Sequence, residues 1–184
     1  VTRDNVKTLR LAWVWSMTDG AANQPMPLVH NGIIYLVNPL NIVQALDGRT
    51  GELIWEHHVG PERAIGQGSM RNISIYEDKL FVTATDARLV ALNARTGAKV
   101  WDVQIADTSK GNYSATVGSI VIGGKVIQGL GGCDRFGAEP CYISAYDANT
   151  GRQLWKFHTV ASGSEPGAET WGRQPNNLRQ GGET

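Results

Sequence analysis

Ala145-Tyr146-Asp147-Ala148-Asn149-Thr150-Gly151-Arg152-Gln153-Leu154-Trp155 decides how the rest of the chain is read. Two upstream stretches share its pattern. One is Ala45-Leu46-Asp47-Gly48-Arg49-Thr50-Gly51-Glu52-Leu53-Ile54-Trp55, and the other is Ala91-Leu92-Asn93-Ala94-Arg95-Thr96-Gly97-Ala98-Lys99-Val100-Trp101. All three read Ala-x-(Asp/Asn)-x-x-Thr-Gly-x-x-x-Trp, and three copies in register mean a repeat architecture. In this shared turn Asp47, Asn93 and Asp147 can accept backbone N–H bonds. Gly51, Gly97 and Gly151 can take positive φ at no steric cost. The Trp four residues later falls on the next strand, where it can pack into the neighbouring unit.

The spacing sharpens the reading. Gly32 to Asp78, Asp78 to Gly124 and Trp55 to Trp101 are each 46 residues, but Trp101 to Trp155 is 54. The eight extra residues fall between Gly124 and Asp147, an interval that holds both cysteines, Cys133 and Cys141. The third repeat therefore carries an insertion that the cysteines can staple. Nothing near them resembles C-x-x-C, a haem attachment site or a zinc ligand set. A short-loop disulfide, which implies an oxidising compartment, is the first reading. Two reduced, unrelated thiols are the other, and geometry decides between them.

Each unit also carries a turn followed by a short β-rich run: Asn31–Val37, Glu77–Thr83 and Gly123–Gly129. Ile33–Val37 alternates little and is expected to be buried on both faces. Leu89–Leu92 and Val100–Ile105 read as shorter and more mixed. No helical period runs beyond about three turns. Leu9–Met17 resembles the end of a preceding repeat, with Trp13 in the place of Trp55, Trp101 and Trp155. Residues 161–184 are rich in Gly, Glu, Pro, Asn and Gln and read as a loop leading to another unit. All-β units of ~40–50 residues with periodic Trp and Gly fit four-stranded antiparallel β-propeller blades. The expectation is one partial propeller domain over 1–184, of about three to four blades. Because a ring takes about four to eight blades, the chain is expected to be part of a longer protein or to pair with other chains.

The bulk properties limit function. The 184 residues carry a formal net charge of zero and 41% hydrophobic residues. That excludes a broad nucleic-acid or anionic-membrane footprint, which needs clustered Lys and Arg. No apolar run is long enough for a transmembrane helix. The chain begins at Val1 and not at Met, so a processed or a truncated N-terminus is expected, and export is compatible with either. Gly118–Lys125 has the wrong spacing for a phosphate loop. Asn72-Ile73-Ser74 and Asn112-Tyr113-Ser114 fit a glycosylation sequon that is common by chance. His57 and His58, adjacent on a strand, point to opposite faces and cannot chelate together. His30 and His158 show no obvious partners.

The Trp unit resembles the tryptophan-docking motif of the pyrroloquinoline quinone (PQQ)-dependent alcohol dehydrogenases, such as the methanol and ethanol quinoproteins. The likeness covers nearly the whole chain. It includes Asn5-Val6-Lys7-Thr8-Leu9 with Ala12-Trp13, Pro27-Leu28-Val29 with Gly32-Ile33-Ile34-Tyr35, Asp86–Leu92, and Glu165–Trp171. It implies an eight-bladed propeller with PQQ and Ca²⁺, sometimes a lanthanide, in its central funnel. Arg71 matches the family arginine that contacts a PQQ carboxylate, a role suited to a guanidinium fork. Thr116 matches a threonine that hydrogen-bonds PQQ. Gly131-Gly132-Cys133-Asp134 occupies the stretch where the backbone approaches PQQ and a carboxylate binds the metal. Asp134 would then be the metal ligand, one carbon shorter than the usual Glu.

The chain departs from the family at several points. Gln24 stands where a PQQ-contacting Glu is usual, and the adjacent Cys-Cys pair expected near Ile65-Gly66 is absent. Residues 135–140 interrupt the metal-site loop, and Glu183 falls where the family has a Thr. The family's catalytic aspartate and asparagine metal ligand lie downstream, so the resemblance implies that this chain alone is inactive. It implies part of a periplasmic enzyme that oxidises primary alcohols or related substrates and passes electrons to a cytochrome. The rival reading is a non-catalytic propeller of the same repeats serving as a protein-interaction scaffold.

Overall fold

The structure is a computed structural model that describes residues 1–17, 24–61, 70–133, 140–179 and 181–182. Among these residues twelve strands form three four-stranded sheets, each an antiparallel meander in chain order. The first sheet holds β1 (Leu28–His30), β2 (Ile33–Asn38), β3 (Ile42–Asp47) and β4 (Leu53–His58). The second holds β5 (Ser74–Tyr76), β6 (Lys79–Ala84), β7 (Arg88–Asn93) and β8 (Lys99–Gln104). The third holds β9 (Ile120–Ile122), β10 (Lys125–Gln128), β11 (Tyr142–Asp147) and β12 (Gln153–His158). These are the blades of a β-propeller, as the sequence predicts. Among the described residues no helix is long and apolar enough to cross a membrane.

The turn between third and fourth strands forms alike in each blade. Asp47 Oδ1 accepts the amides of Arg49 and Thr50 at 2.8 and 2.9 Å. Asn93 Oδ1 does the same for Arg95 and Thr96, at 3.1 and 3.0 Å. Asp147 Oδ1 does so for Asn149 and Thr150, at 3.1 and 2.9 Å. The glycine that follows has φ of 77° at Gly51, 72° at Gly97 and 71° at Gly151. A bulge then places one extra residue opposite Ala45/Leu46, Ala91/Leu92 and Ala145/Tyr146. Such a bulge re-aims the strand beyond it, here the strand that carries the Trp.

Each Trp docks on the turn of the next blade. Trp13 Nε1 donates to Gly48 O at 3.2 Å, Trp55 Nε1 to Ala94 O at 3.0 Å, and Trp101 Nε1 to Ala148 O at 3.1 Å. The indole lies flat against the turn glycine. A Cβ built on Gly51 would come 2.6 Å from the Trp13 ring, one on Gly97 2.6 Å from Trp55, and one on Gly151 2.8 Å from Trp101. The glycine is thus required twice, by its φ and by the ring above it. Trp13 thus docks as Trp55 and Trp101 do, at the start of the series.

Two apolar layers fill the spaces between blades. Tyr35, Val37, Val43 and Ala45 pack on Leu80, Val82, Val90 and Leu92. Phe81, Leu89 and Ala91 on the opposite face of the second blade pack on Val126, Leu130 and Tyr146. Strands covered on both faces have no polar side, which is why their sequence does not alternate. This corrects the expectation that Leu89–Leu92 is short and mixed. β7 runs for six residues, and residues 89–92 are all buried.

The insertion sits where the spacing places it. The second and third strands are joined by residues 39–41 in the first blade and 85–87 in the second, but by residues 129–141 in the third. Cys133 and Cys141 are disulfide-bonded, with Cα atoms 5.3 Å apart. The bond settles the two readings of these cysteines in favour of the staple.

Candidate cofactor site

Gln24, Arg71 and Thr116 lie in neighbouring places in three successive blades, four, three and four residues before the first strand. Each lies in the segment leading into a first strand: β1 starts at Leu28, β5 at Ser74 and β9 at Ile120. In an antiparallel meander the start of the first strand and the end of the second share one end of the sheet. The loop after β10, with Gly131 and Gly132, therefore opens at the end where Thr116 enters.

Hydrogen bonds join these residues in a row. Arg71 Nε donates to Gln24 Oε1 at 3.1 Å, and the Arg71 amide donates to Thr116 O at 3.0 Å. Two residues before Thr116, Ser114 exchanges both backbone hydrogen bonds with Gly131, at 3.1 and 2.9 Å. The blades close tightly here. A Cβ on Gly118 would fall 2.2 Å from Asn72 Cβ, and one on Gly132 would fall 2.0 Å from Asn112 O. Ser74 and Ser119 hydroxyls meet at 2.8 Å. Glycine at 118 and 132 is thus a condition for the segments to lie side by side.

The donor set has a clear chemical character. Arg71 is exposed and Thr116 half-buried. Among the described residues no carboxylate pairs with Arg71, and its Nε donates to the neutral amide of Gln24. A cation, a hydroxyl-bearing residue and glycine backbone at one end of the blades are donor types that suit a planar anion bearing carboxylates. These groups fit PQQ, a tricarboxylate. Asp134 lies outside the described residues, as do Arg135 and the Ile65-Gly66 region. Among the described residues no three His, Cys, Asp or Glu side chains gather as a metal cage.

Sequence reasoning missed part of the frame. Asn112-Tyr113-Ser114 and Asn72-Ile73-Ser74 read only as sequon-like tripeptides, yet their backbones pack on Gly132 and Gly118. Gln128, buried to 1% exposure, donates through Nε2 to Val117 O at 2.8 Å and to Gly129 O at 3.0 Å. It thus ties the residue after Thr116 to the start of the glycine loop. No signal in a single sequence separates such a buried amide from an ordinary strand glutamine. The histidine reading needs correction. His158 Nδ1 lies 2.5 Å from Glu165 Oε1, and His30 Nε2 lies 2.9 Å from Asn31 Nδ2. Both partners sit on turns or loops, where strand periodicity gives no information. The Glu165 carboxyl is held below its usual range, first by His158 and then by the Ser162 amide.

The model of the PQQ family described as glucose/ethanol/alcohol dehydrogenase, beta-propeller domain, matches residues 1–182. The quinohemoprotein alcohol dehydrogenase ADH-IIG of Pseudomonas putida is 34% identical over 185 aligned residues, covering 93% of this chain and 26% of that protein. The crystal structure of quinohemoprotein alcohol dehydrogenase from Comamonas testosteroni superposes with a TM-score of 0.79 at 36% identity, over 89% of this chain and 25% of that one. A europium-containing methanol dehydrogenase superposes with a TM-score of 0.74 at 27% identity, over 88% and 29%. The chain spans about a quarter of the length of these relatives. With matching blades, docking tryptophans and near-complete coverage by the family model, the chain belongs to the PQQ-dependent alcohol dehydrogenase family.

Proposed function

We propose that this chain supplies part of the PQQ and Ca²⁺ site of a periplasmic dehydrogenase that oxidises primary alcohols and passes electrons to a cytochrome. The observation that carries the reading is the hydrogen-bonded row Gln24–Arg71–Thr116, continued through Ser114 to Gly131. A scaffold has no need of a guanidinium that no carboxylate among the described residues neutralises, beside a close-packed glycine loop at one end of its blades. Bound PQQ supplies the ortho-quinone that takes up the electrons of the alcohol. The residues of this chain bind and orient it. Arg71 offers its guanidinium fork to a carboxylate, while the Gln24 amide holds its Nε side. Thr116 offers a hydroxyl, and Gly131 and Gly132 let the backbone come close. Asp134 is proposed as an oxygen ligand of the metal, Ca²⁺ or a lanthanide such as that in the europium-containing relative. The catalytic base is proposed to lie outside these 184 residues, so that this chain alone is inactive.

The test is a PQQ titration of the intact protein with and without Ca²⁺, followed by dye reduction with short primary alcohols. Arg71→Met is expected to weaken PQQ binding ~10–100-fold, the loss of a charge-assisted hydrogen bond worth about 1.5–3 kcal/mol. Absence of PQQ binding by the unmutated protein would refute the assignment.

A further inference from the structure

We infer that the Cys133–Cys141 disulfide is a positioning element of the cofactor site, holding the Gly131–Gly132 backbone beside Ser114 and Thr116. This rests on the reading of that site as a PQQ site. The argument starts from the framework. Asn41, Ala87 and Cys141 each immediately precede the third strand of their blade. Each gives its carbonyl to the residue just beyond the fourth strand: Asn41 to Val59 at 2.9 Å, Ala87 to Ile105 at 2.8 Å, Cys141 to Thr159 at 2.9 Å. Cys141 is therefore a fixed point of the blade, and it is fully buried.

Cys133 is the other end of the bridge. It directly follows Gly132 and is 2% exposed, packed with Ala87, Ile105, Tyr113, Ala115 and Leu130 between the second and third blades. The two cysteines are eight residues apart, the length by which the third repeat exceeds the other two. The covalent path through sulfur thus bypasses the insertion and returns the chain to β11 by a short route, as in the first two blades. On the other side Gln128 fixes Gly129 to Val117. Between these two ties stand Gly131, paired with Ser114, and Gly132, pressed on Asn112 O. Without the disulfide this segment would belong to a connection of thirteen residues (129–141) with no covalent short cut, where the first two blades use three. Its pairing with Ser114 would then compete with the freedom of the whole loop.

The experiment compares the intact protein with its Cys133→Ala/Cys141→Ala variant. The variant is expected to keep its β-sheet circular dichroism but to bind PQQ at least tenfold more weakly. Amide exchange is expected to rise at least tenfold at Gly131 and Ser114, with β6 and β7 unchanged. An unchanged PQQ affinity would overturn the proposal. So would loss of the β-sheet signal, which would make the bond a support of the whole fold and not of the site. If the unmutated protein binds no PQQ, the functional reading fails on its own. The exchange measurement then still decides whether the disulfide fixes Gly131, and equal exchange in both proteins would refute that.

Discussion

Asp47, Asn93 and Asp147 make the same turn with different chemistry. The Asp47 carboxyl is held below its usual range, first by the Thr50 amide and then by that of Arg49. Asp147 is lowered first by the Thr150 hydroxyl and then by the Thr150 amide. A lowered folded-state pKa means that the contribution is present above the unfolded carboxylate pKa and is lost as pH falls through the folded value. Asn93 accepts the same bonds without a titrating group. Amide chemical shifts followed from pH 6 to pH 2 are therefore expected to move at Thr50 and Thr150 and to stay still at Thr96. Equal movement at all three would show that the turns respond to general acid unfolding. The positions of these residues were plain in the sequence because a turn is specified within five residues. The row Gln24–Arg71–Thr116 was legible only through family likeness, since its members lie some 45 residues apart and no local pattern links them.

At the level of the element, the docking glycine carries the coupling between blades. Gly97→Ala places a methyl group 2.6 Å from the Trp55 ring at a φ of 72°. The strain of an L-residue in that region and the overpacking together are expected to cost about 2–5 kcal/mol. Gly123→Ala is the control: its φ is 54°, but nothing lies within 4 Å of the added Cβ. It is expected to cost only the backbone term, about 1–2 kcal/mol. Urea denaturation of both variants checks the difference, and equal losses would remove the indole from the account. The positive φ could be read from Thr-Gly; the ring above it could not, because it comes from another repeat. The same limit hid Gln128, whose partners Val117 and Gly129 lie on segments that meet only in the fold.

Across the whole molecule the docking series is asymmetric. Trp55 and Trp101 are 8% and 9% exposed, and Trp155 is 42% exposed. Phe157, Ile120 and Ile122 on the same blade are also open to solvent. Acrylamide is expected to quench Trp155 emission in the isolated chain while leaving Trp55 and Trp101 protected. Trp155→Phe is expected to lower the quenchable signal, leaving the part that comes from half-exposed Trp13, Trp15 and Trp171. If quenching were undiminished in that variant, the docking geometry of the series would be wrong. The 46-residue ruler made this architecture visible in advance, including the place of the insertion. It did not show that the disulfide restores the short route into β11, because that depends on where Cys141 sits relative to Asn41 and Ala87.

The reach of each tryptophan into the following turn has a genetic consequence. Because the indole and its glycine belong to different units, a unit gained or lost in frame leaves every junction with one donor and one acceptor. Unequal recombination between tandem copies therefore keeps the indole–glycine contact at each junction. Such a change in the number of units needs no new indole contact, whereas the cysteine-bridged loop, found here in the third of three units, travels with its own copy.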